Sequence, residues 1–544
     1  MIIIVFVIML HATSPCVGSY KVHRQTAHHD RIRRVKCDEQ RPECNRCLST
    51  GRTCDGYWTG SQSLVQQACS LRIIQHVPLH RKPPPAIRLN TDEHRCLEFF
   101  QHYTIHGLGA EVGSCLLQAT TSEPVIRSVA IAVGSVHLSF TCLSEEDTAF
   151  TLRHYNKAIR QLVTSQNSKN TVLLACVLFF CCECLQGRFK TAIQHASSGL
   201  RILQQQQLRS HASPERASPA VFSLFNAVQS QVLEIEGMEG MEPETQPKLP
   251  PTSDPIPTGP GLNISDHQHI FRQLYHRFTE NDALFKAFAE TPTDHSPAGI
   301  AYEQQLLAEW FRVRGDLKAW MQDFDRQTTY RLQTDPSTAS LNAHPIAILK
   351  TWKLLFSIYL RMAWPPSELA WDYFTADLQS IVSLVSTVTG DCTARLNTHR
   401  TPTVPSSKDT SAPTKPRLAP SPTAPSRPTF TLSLGFLTPL YICATRCRDS
   451  TIRHRALRLL ATCRRREGVW DSDVAARVAR RIIEIEEHAA GVKPGVSYGP
   501  ADISLAARVR SSSPHFGEGR TASLRYIGGS SRPEVGFMEE TIVW

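Results

Sequence analysis

Four cysteines near the start of the chain are spaced as metal ligands are. Cys37, Cys44, Cys47 and Cys54 follow the pattern C-x6-C-x2-C-x6-C. Thiolates at such short spacings, within loops and short helices, can converge on a soft ion that accepts tetrahedral sulfur coordination, which is the chemistry of zinc. Metal binding then supplies the folding free energy that so short a segment cannot obtain from a hydrophobic core. We therefore predict a zinc site within residues 31–58.

Positive charge is concentrated around these cysteines. The whole chain has a formal net charge of +10, and between Lys21 and Tyr57 nine Lys or Arg residues stand against five Asp or Glu residues. A local basic patch of this kind favours a polyanionic partner. The same run also fits a solvated surface or a nuclear import signal, and these alternatives stay open.

The segment resembles the zinc binuclear cluster module of fungal transcription factors, over the C-terminal two-thirds of that module. The residues that carry the resemblance, besides the four cysteines, are Arg33, Arg34, Lys36, Asp38, Arg41, Pro42, Arg46, Gly51 and Arg52. The resemblance implies a small module of two short helices and loops. It also implies a nuclear transcription factor that binds specific DNA sequences and regulates genes of RNA polymerase II.

In that family six cysteines hold two zinc ions, and the resemblance maps the four cysteines of this chain onto the third to sixth ligands. Family spacing places the first two ligands at positions 27 and 30, where this sequence has Ala27 and Asp30. In one interpretation residues 1–30 are not the authentic start of the protein. A wrongly translated intron or a misplaced first exon would produce such an unrelated segment. In a second, His28 or His29 completes a single zinc site with the last three cysteines. In a third, DNA binding has been lost, and the chain is a helical interaction or ligand-sensing regulator.

The resemblance also implies how a working module would contact DNA. The short helix that carries Arg33 and Arg34 would enter the major groove and read a CGG-like triplet, because Arg donates hydrogen bonds to guanine O6 and N7. Other basic residues of the module would contact phosphates, which position a protein on the duplex without reading sequence. The predicted DNA-binding set is Arg31, Arg33, Arg34, Lys36, Arg46 and Arg52.

Beyond residue 92 the apolar pattern is helical. Apolar residues recur at spacings of three and four, and the alternation typical of strands is scarce. The run from Val172 to Leu185 is apolar on nearly all sides and too short for a membrane span, which predicts a helix buried in a bundle. We expect it to form an antiparallel pair with the next helix through a turn at Gly187. The order of the helical segments resembles the regulatory domain of the same fungal family.

The fold class that we predict is mainly α, with a small zinc module followed by a large all-α regulatory domain and disordered linkers. The segment from Thr393 to Thr429 has almost no large apolar side chains and cannot offset its ordering entropy. The predicted divisions are an atypical N-terminus (1–30), a partial zinc module (31–58), a linker (59–92), a helical regulatory domain (93–390), a disordered Pro/Ser/Thr linker (391–429), the continuation of the helical domain (430–490) and a C-terminal tail that is mostly loop (491–544).

Other classes of protein are disfavoured. The chain has no HExxH motif, no phosphate-binding glycine loop and no nucleophile with recognisable partners, so we predict no enzyme. The apolar run over residues 1–10 lacks a preceding Lys or Arg and is shorter than a membrane span, which argues against secretion or a membrane partner. Scattered cysteines in apolar runs, such as Cys176 and Cys181, are predicted to be buried free thiols.

The expected partners are double-stranded DNA and the transcription machinery. Residues 61–77 offer too few apolar positions for a coiled coil. If the protein forms a homodimer, we therefore expect the helical domain to mediate it. Homodimerisation itself and control by a small-molecule effector stay open.

Overall fold

The computed structural model divides the chain into two units, residues 1–87 and 88–544. It describes residues 88–143, 148–209, 219–237, 246, 262–290, 296–334, 343–362, 367–389, 428–493, 495–528 and 538–544. All the predicted zinc ligands and DNA-binding residues lie outside these residues, as do most of the predicted linkers at 59–92 and 391–429.

The described part of the chain is mainly α, as predicted. Its fourteen α-helices are α1 (Thr91–His102), α2 (Ala110–Ser122), α3 (Pro124–Cys142), α4 (Thr148–Thr164), α5 (Lys169–Gln186), α6 (Phe189–Arg209), α7 (Pro219–Glu236), α8 (Ile264–Glu290), α9 (Pro297–Thr334), α10 (Ala343–Arg361), α11 (Thr375–Thr389), α12 (Leu437–Arg446), α13 (Ser450–Thr462) and α14 (Ser472–Ala489). Short 3-10 helices span Thr104–Leu108, Glu368–Phe374, Pro500–Asp502 and Leu505–Ala507. The strands are β1 (Thr429–Thr431), β2 (Arg465–Glu467), β3 (Trp470–Asp471), β4 (Val509–Phe516), β5 (Thr521–Gly528) and β6 (Met538–Val543).

Helix α3 packs against α1, α4 and α5. Its Gly134 allows α1 to approach closely, because a Cβ at that position would lie 2.1 Å from the carbonyl oxygen of Cys96 on α1. Any side chain there would force the two helices apart. Helix α1 itself begins at a capping box, in which Asn90 and Glu93 each accept a hydrogen bond from the other's backbone N–H at 2.8 Å.

Helix α5 confirms the prediction of a core helix. Every residue from Leu173 to Leu185 is buried. The chain reverses at Gly187, whose φ of 73° is left-handed, and α6 packs back against α5. The free thiols of this helix are buried as predicted, and burial raises the pKa of the Cys176 thiol to about 12.

Two described helices, α3 and α5, are long and apolar enough to cross a membrane by length and composition alone. Within the fold, 67% and 83% of their respective apolar windows are buried. This burial is typical of core helices in a bundle.

An aromatic cluster joins α8, α9 and α10. Phe271 of α8 lies with its ring centroid 4.8 Å from that of Trp320 on α9 and 5.8 Å from that of Trp352 on α10. The indole N–H of Trp352 donates a 2.6 Å hydrogen bond to the carbonyl oxygen of Gly435. The cluster therefore connects the central helices to the segment that precedes α12.

Two predictions in the C-terminal third were wrong. Residues 430–436 do not continue a helix, because β1 pairs in parallel with β2 and α12 begins only at Leu437. The stretch beyond Gly491 is not mostly loop, because β4, β5 and β6 form an antiparallel sheet. In β5, Ala522, Leu524 and Tyr526 alternate with half-buried residues. This is strand periodicity, and the many glycines and serines around it obscured it.

Candidate functional sites of the module and the regulatory domain

The donor set of the predicted zinc module fits zinc by its chemistry. Four thiolates complete one tetrahedral zinc site. A two-zinc cluster of the family's kind takes six, and positions 27 and 30 supply an alanine and an aspartate. Within the described ranges, no group of three or more His, Cys, Asp or Glu side chains is placed to hold a metal ion.

A buried ion cluster fastens the C-terminal third of the regulatory domain. Glu486 of α14 accepts hydrogen bonds from Arg448 at 2.7 Å and from Arg453 at 2.8 Å, and all three side chains are fully buried. The backbone N–H of Val509, at the start of β4, donates to the same carboxylate at 2.9 Å. Burial opposes ionisation of Glu486, but the charges of Arg453 and Arg448 outweigh it, and the pKa of Glu486 lies below its usual value.

Arg508 ties the C-terminal sheet to the 3-10 helix Glu368–Phe374. Its guanidinium makes two hydrogen bonds to the carboxylate of Asp372, at 2.9 and 2.7 Å, and donates to the carbonyl oxygen of Glu368 at 2.8 Å. The Glu368 carboxylate in turn pairs with Arg446 at 2.7 Å and with Arg448 at 2.9 Å. The sheet is therefore an integral part of the domain, held by charge-assisted hydrogen bonds.

A second polar node joins α7, α8, α12 and β3 at Glu234. One carboxylate oxygen accepts from the Tyr275 hydroxyl at 2.7 Å, the Thr438 hydroxyl at 3.2 Å and the Trp470 indole N–H at 3.0 Å. Burial raises the pKa of Glu234 to about 7, against the opposing effect of these three hydrogen bonds. Sequence reasoning missed this carboxyl, because its partners come from segments far apart in the chain.

A cavity of about 250 Å³ opens between α2, α7, α8 and the segment after β1. Its polar wall is the beginning of α8, where Asn263 and Asp266 cap each other's backbone N–H groups at 2.7 and 3.0 Å. His269 and Arg272 lie one and two turns further along the same wall. The opposite walls are apolar and include Leu108, Val112, Leu224 and Leu432.

Comparison with known proteins covers both parts of the chain. The family model of the fungal Zn(2)-Cys(6) binuclear cluster domain matches residues 31–63. The chain is 34% identical to the Aspercryptin biosynthesis cluster-specific transcription regulator atnN of Emericella nidulans, over 94% of this chain and 95% of the relative. It is 27% identical to the transcription regulator lscL of Purpureocillium lilacinum, over 33% of this chain and 48% of that relative. No solved structure matches the chain.

The match to the cluster domain accounts for the cysteine spacing and the basic residues, and the longer similarity extends through the helical regulatory domain. The cluster domain binds zinc, and its presence with transcription regulators as relatives indicates a DNA-binding protein. This chain belongs to the family of fungal Zn(2)-Cys(6) binuclear cluster transcription regulators.

Proposed function

We propose that the protein acts in the nucleus as a sequence-specific regulator of RNA polymerase II genes and reads CGG-like triplets. The observation that carries the proposal is the family match over residues 31–63, which contains the cysteine cluster and every predicted DNA-binding residue. Its relatives are transcription regulators, which favours regulation over catalysis.

In this proposal Cys37, Cys44, Cys47 and Cys54 hold zinc, which folds the module when bound. Arg33 and Arg34 donate to guanine edges in the major groove, while basic residues elsewhere in the module contact phosphates. The two kinds of contact have different signatures, because only base contacts discriminate between sequences.

Replacing Arg34 with alanine will relax sequence choice, whereas replacing Lys36 with alanine will weaken binding to all duplexes alike. The loss of a guanine contact costs about 1–3 kcal/mol at the cognate site and little elsewhere. The loss of a phosphate contact reduces the slope of log K against log salt concentration by about 0.9. Fluorescence anisotropy of the zinc-loaded full chain, with CGG-containing and scrambled duplexes over a salt series, measures both quantities. Equal affinity of the unsubstituted protein for the two duplexes would refute sequence reading.

We further propose that the cavity between α2, α7 and α8 holds the effector of this regulator, a small and mainly apolar molecule with an anionic group. Apolar walls face a polar wall that carries the His269 side chain and the Arg272 guanidinium, a cation that can pair with an anionic group. A volume of about 250 Å³ is enough for a small organic molecule.

Anilinonaphthalene sulfonate, an apolar anion, is a direct probe of this cavity. We expect one saturable site per chain, and Ala227→Trp will weaken binding about tenfold or more because the indole occupies the cavity. Ala376→Trp is the matched control, since Ala376 is exposed on α11, away from the cavity. Fluorescence titration of the three proteins decides the matter, and equal dye binding by wild type and Ala227→Trp would exclude the cavity as the site.

A further inference from the structure

A second, smaller cavity lies beside Glu234, where α7 meets α12, β3, α14 and β4. Its volume is about 50 Å³. The wall is mostly apolar and includes the rings of Tyr441, Trp470 and Phe516, and the Glu234 carboxyl lies among them. The volume equals about three to five water-sized volumes, so only a very small molecule fits.

The two carboxylate oxygens of Glu234 differ in their hydrogen bonds. Oε2 accepts all three bonds that were described above, from Tyr275, Thr438 and Trp470. Oε1 accepts none from any residue that the structure describes. The other carboxylate of the wall, Asp471, is already paired with Arg466 and caps the start of α14. Oε1 of Glu234 therefore keeps its capacity to accept a hydrogen bond from a ligand.

Glu234 also differs from neighbouring carboxylates in its lack of a counter-charge. Glu486 and Glu467 each pair with an arginine. Across the described ranges of the chain, no Lys, Arg or His side chain forms an ion pair with Glu234. Lys286 favours its ionised form from a distance, but the Lys286 ammonium pairs with Asp282. Burial therefore raises the pKa of Glu234 to about 7, and a cation in the cavity would supply the charge that the carboxylate lacks.

We propose that this cavity binds a primary alkylammonium ion of two or three carbons. The ammonium group donates a hydrogen bond to Oε1 of Glu234 and provides its counter-charge. The alkyl chain lies against the apolar side chains of Val474 and Val478, and the aromatic rings of the wall attract the cation. The bound ion connects α7 to β3, α14 and β4, so it stabilises this junction of the domain.

The wall favours an organic ammonium ion over other small ligands. A cation such as Ca²⁺ takes about six to eight oxygen ligands, whereas Glu234 offers one unbonded oxygen here. An anion would be repelled by Glu234, and a neutral alcohol would fill the cavity without supplying charge. The cavity shares no wall residue with the one between α2, α7 and α8. This binding can therefore fail without affecting the proposed effector or DNA reading.

Thermal unfolding of the zinc-loaded full chain tests the binding with n-propylammonium chloride as the probe. 1-Propanol is the uncharged molecule of the same shape, and sodium chloride controls for ionic strength. For so few atoms we expect a dissociation constant of about 1 mM. A concentration of about 100 mM n-propylammonium will therefore raise the melting temperature by about 2–3 °C over equal sodium chloride. 1-Propanol will give no such increase.

Glu234→Gln separates lost binding from lost folding. Glutamine keeps the shape and one oxygen acceptor for the three donors, while it removes the charge. We expect this variant to melt at least as high as wild type without ligand, because it buries no charge, and not to respond to n-propylammonium.

Glu280→Gln is the matched control. Burial also raises the pKa of Glu280 to about 7, but Glu280 pairs with His276 at 3.4 Å and does not line the cavity. It will respond to n-propylammonium like wild type. Three results would each overturn the proposal: no stabilisation of wild type by n-propylammonium, equal stabilisation of wild type by 1-propanol, or equal stabilisation of Glu234→Gln. The comparison of the two ligands on wild type needs no variant, so it decides even if a variant fails to fold.

Discussion

Replacement of Glu486 by alanine will lower the free energy of unfolding of the regulatory domain by about 3–5 kcal/mol. The substitution removes the only carboxylate that bonds both Arg448 and Arg453, as far as the described residues show. Both guanidinium groups are fully buried and would lose their main counter-charge in a medium that solvates them poorly. Chemical denaturation followed by circular dichroism measures the effect.

Glu484→Ala is the matched control for this experiment. Glu484 lies on the same helix, but its side chain is 51% exposed and pairs with Arg481 at a distance of 3.4 Å. A solvent-exposed pair of this kind contributes about 0–1 kcal/mol. Equal free energies of unfolding of the two variants would show that the cluster around Glu486 does not stabilise the C-terminal third of the domain.

Acid should reduce the difference between wild type and Glu486→Ala. The pKa of Glu486 in the folded protein lies below its ordinary value, since the two arginines favour the carboxylate. The stability that it contributes is therefore complete above the unfolded pKa of about 4.3, and it is lost as pH falls through the folded pKa. A constant difference between the two proteins from neutral to strongly acid pH would show that Glu486 is not held as a buried anion.

The Glu486 cluster also shows what the sequence could not reveal. Sequence patterns assign charged residues to the surface, because isolated buried charges are rare. Arg448 and Arg453 can be buried because Glu486, 33 residues or more further along the chain, reaches both of them. No local spacing connects these positions, so the same stretch could be read from sequence only as an amphipathic helix with a charged face.

Helix α5 and strand β5 show where local patterns succeed and where they fail. The run in α5 has an apolar content that suits only a buried helix, and its end at Gly187 follows from the left-handed conformation that glycine tolerates. Strand β5 has the correct alternation, but it is short and surrounded by glycines and serines. Its stability comes from pairing with β4 and β6 and from packing of β4 on α7 and α14.

The candidate sites also differ in how far sequence patterns could predict them. The four cysteines that we propose as zinc ligands could be named from spacing alone, because all four lie within 18 residues and their chemistry is local. The cavity could not be predicted, since its walls combine Leu108, Leu224, Arg272 and Leu432 from distant parts of the chain.

Replacement of Cys47 by serine will abolish zinc-dependent DNA binding. Zinc supplies about 10–16 kcal/mol to the folding of small structural zinc domains, and a serine hydroxyl does not replace a thiolate as a ligand. Cys142→Ser is the control, because Cys142 is exposed at the end of α3, within the helical domain. Metal analysis after dialysis measures the loss of zinc, and fluorescence anisotropy with a CGG-containing duplex measures the loss of DNA binding. Retention of zinc and DNA binding by Cys47→Ser would show that the cluster is not the zinc site.

The combined change Ala27→Cys and Asp30→Cys tests how many zinc ions the module holds. It restores the spacing of the family's first two ligands, so we expect the variant to bind two zinc ions per chain, where the four thiolates of the sequence as it stands complete one site. DNA affinity should rise by about tenfold or more with the second ion, because zinc ligands would then both precede and follow the basic residues 31–36. If the double variant bound two ions but showed no gain for CGG-containing DNA, the missing ligands would not be what limits DNA reading. The helical regulatory domain would then be the part through which this chain acts.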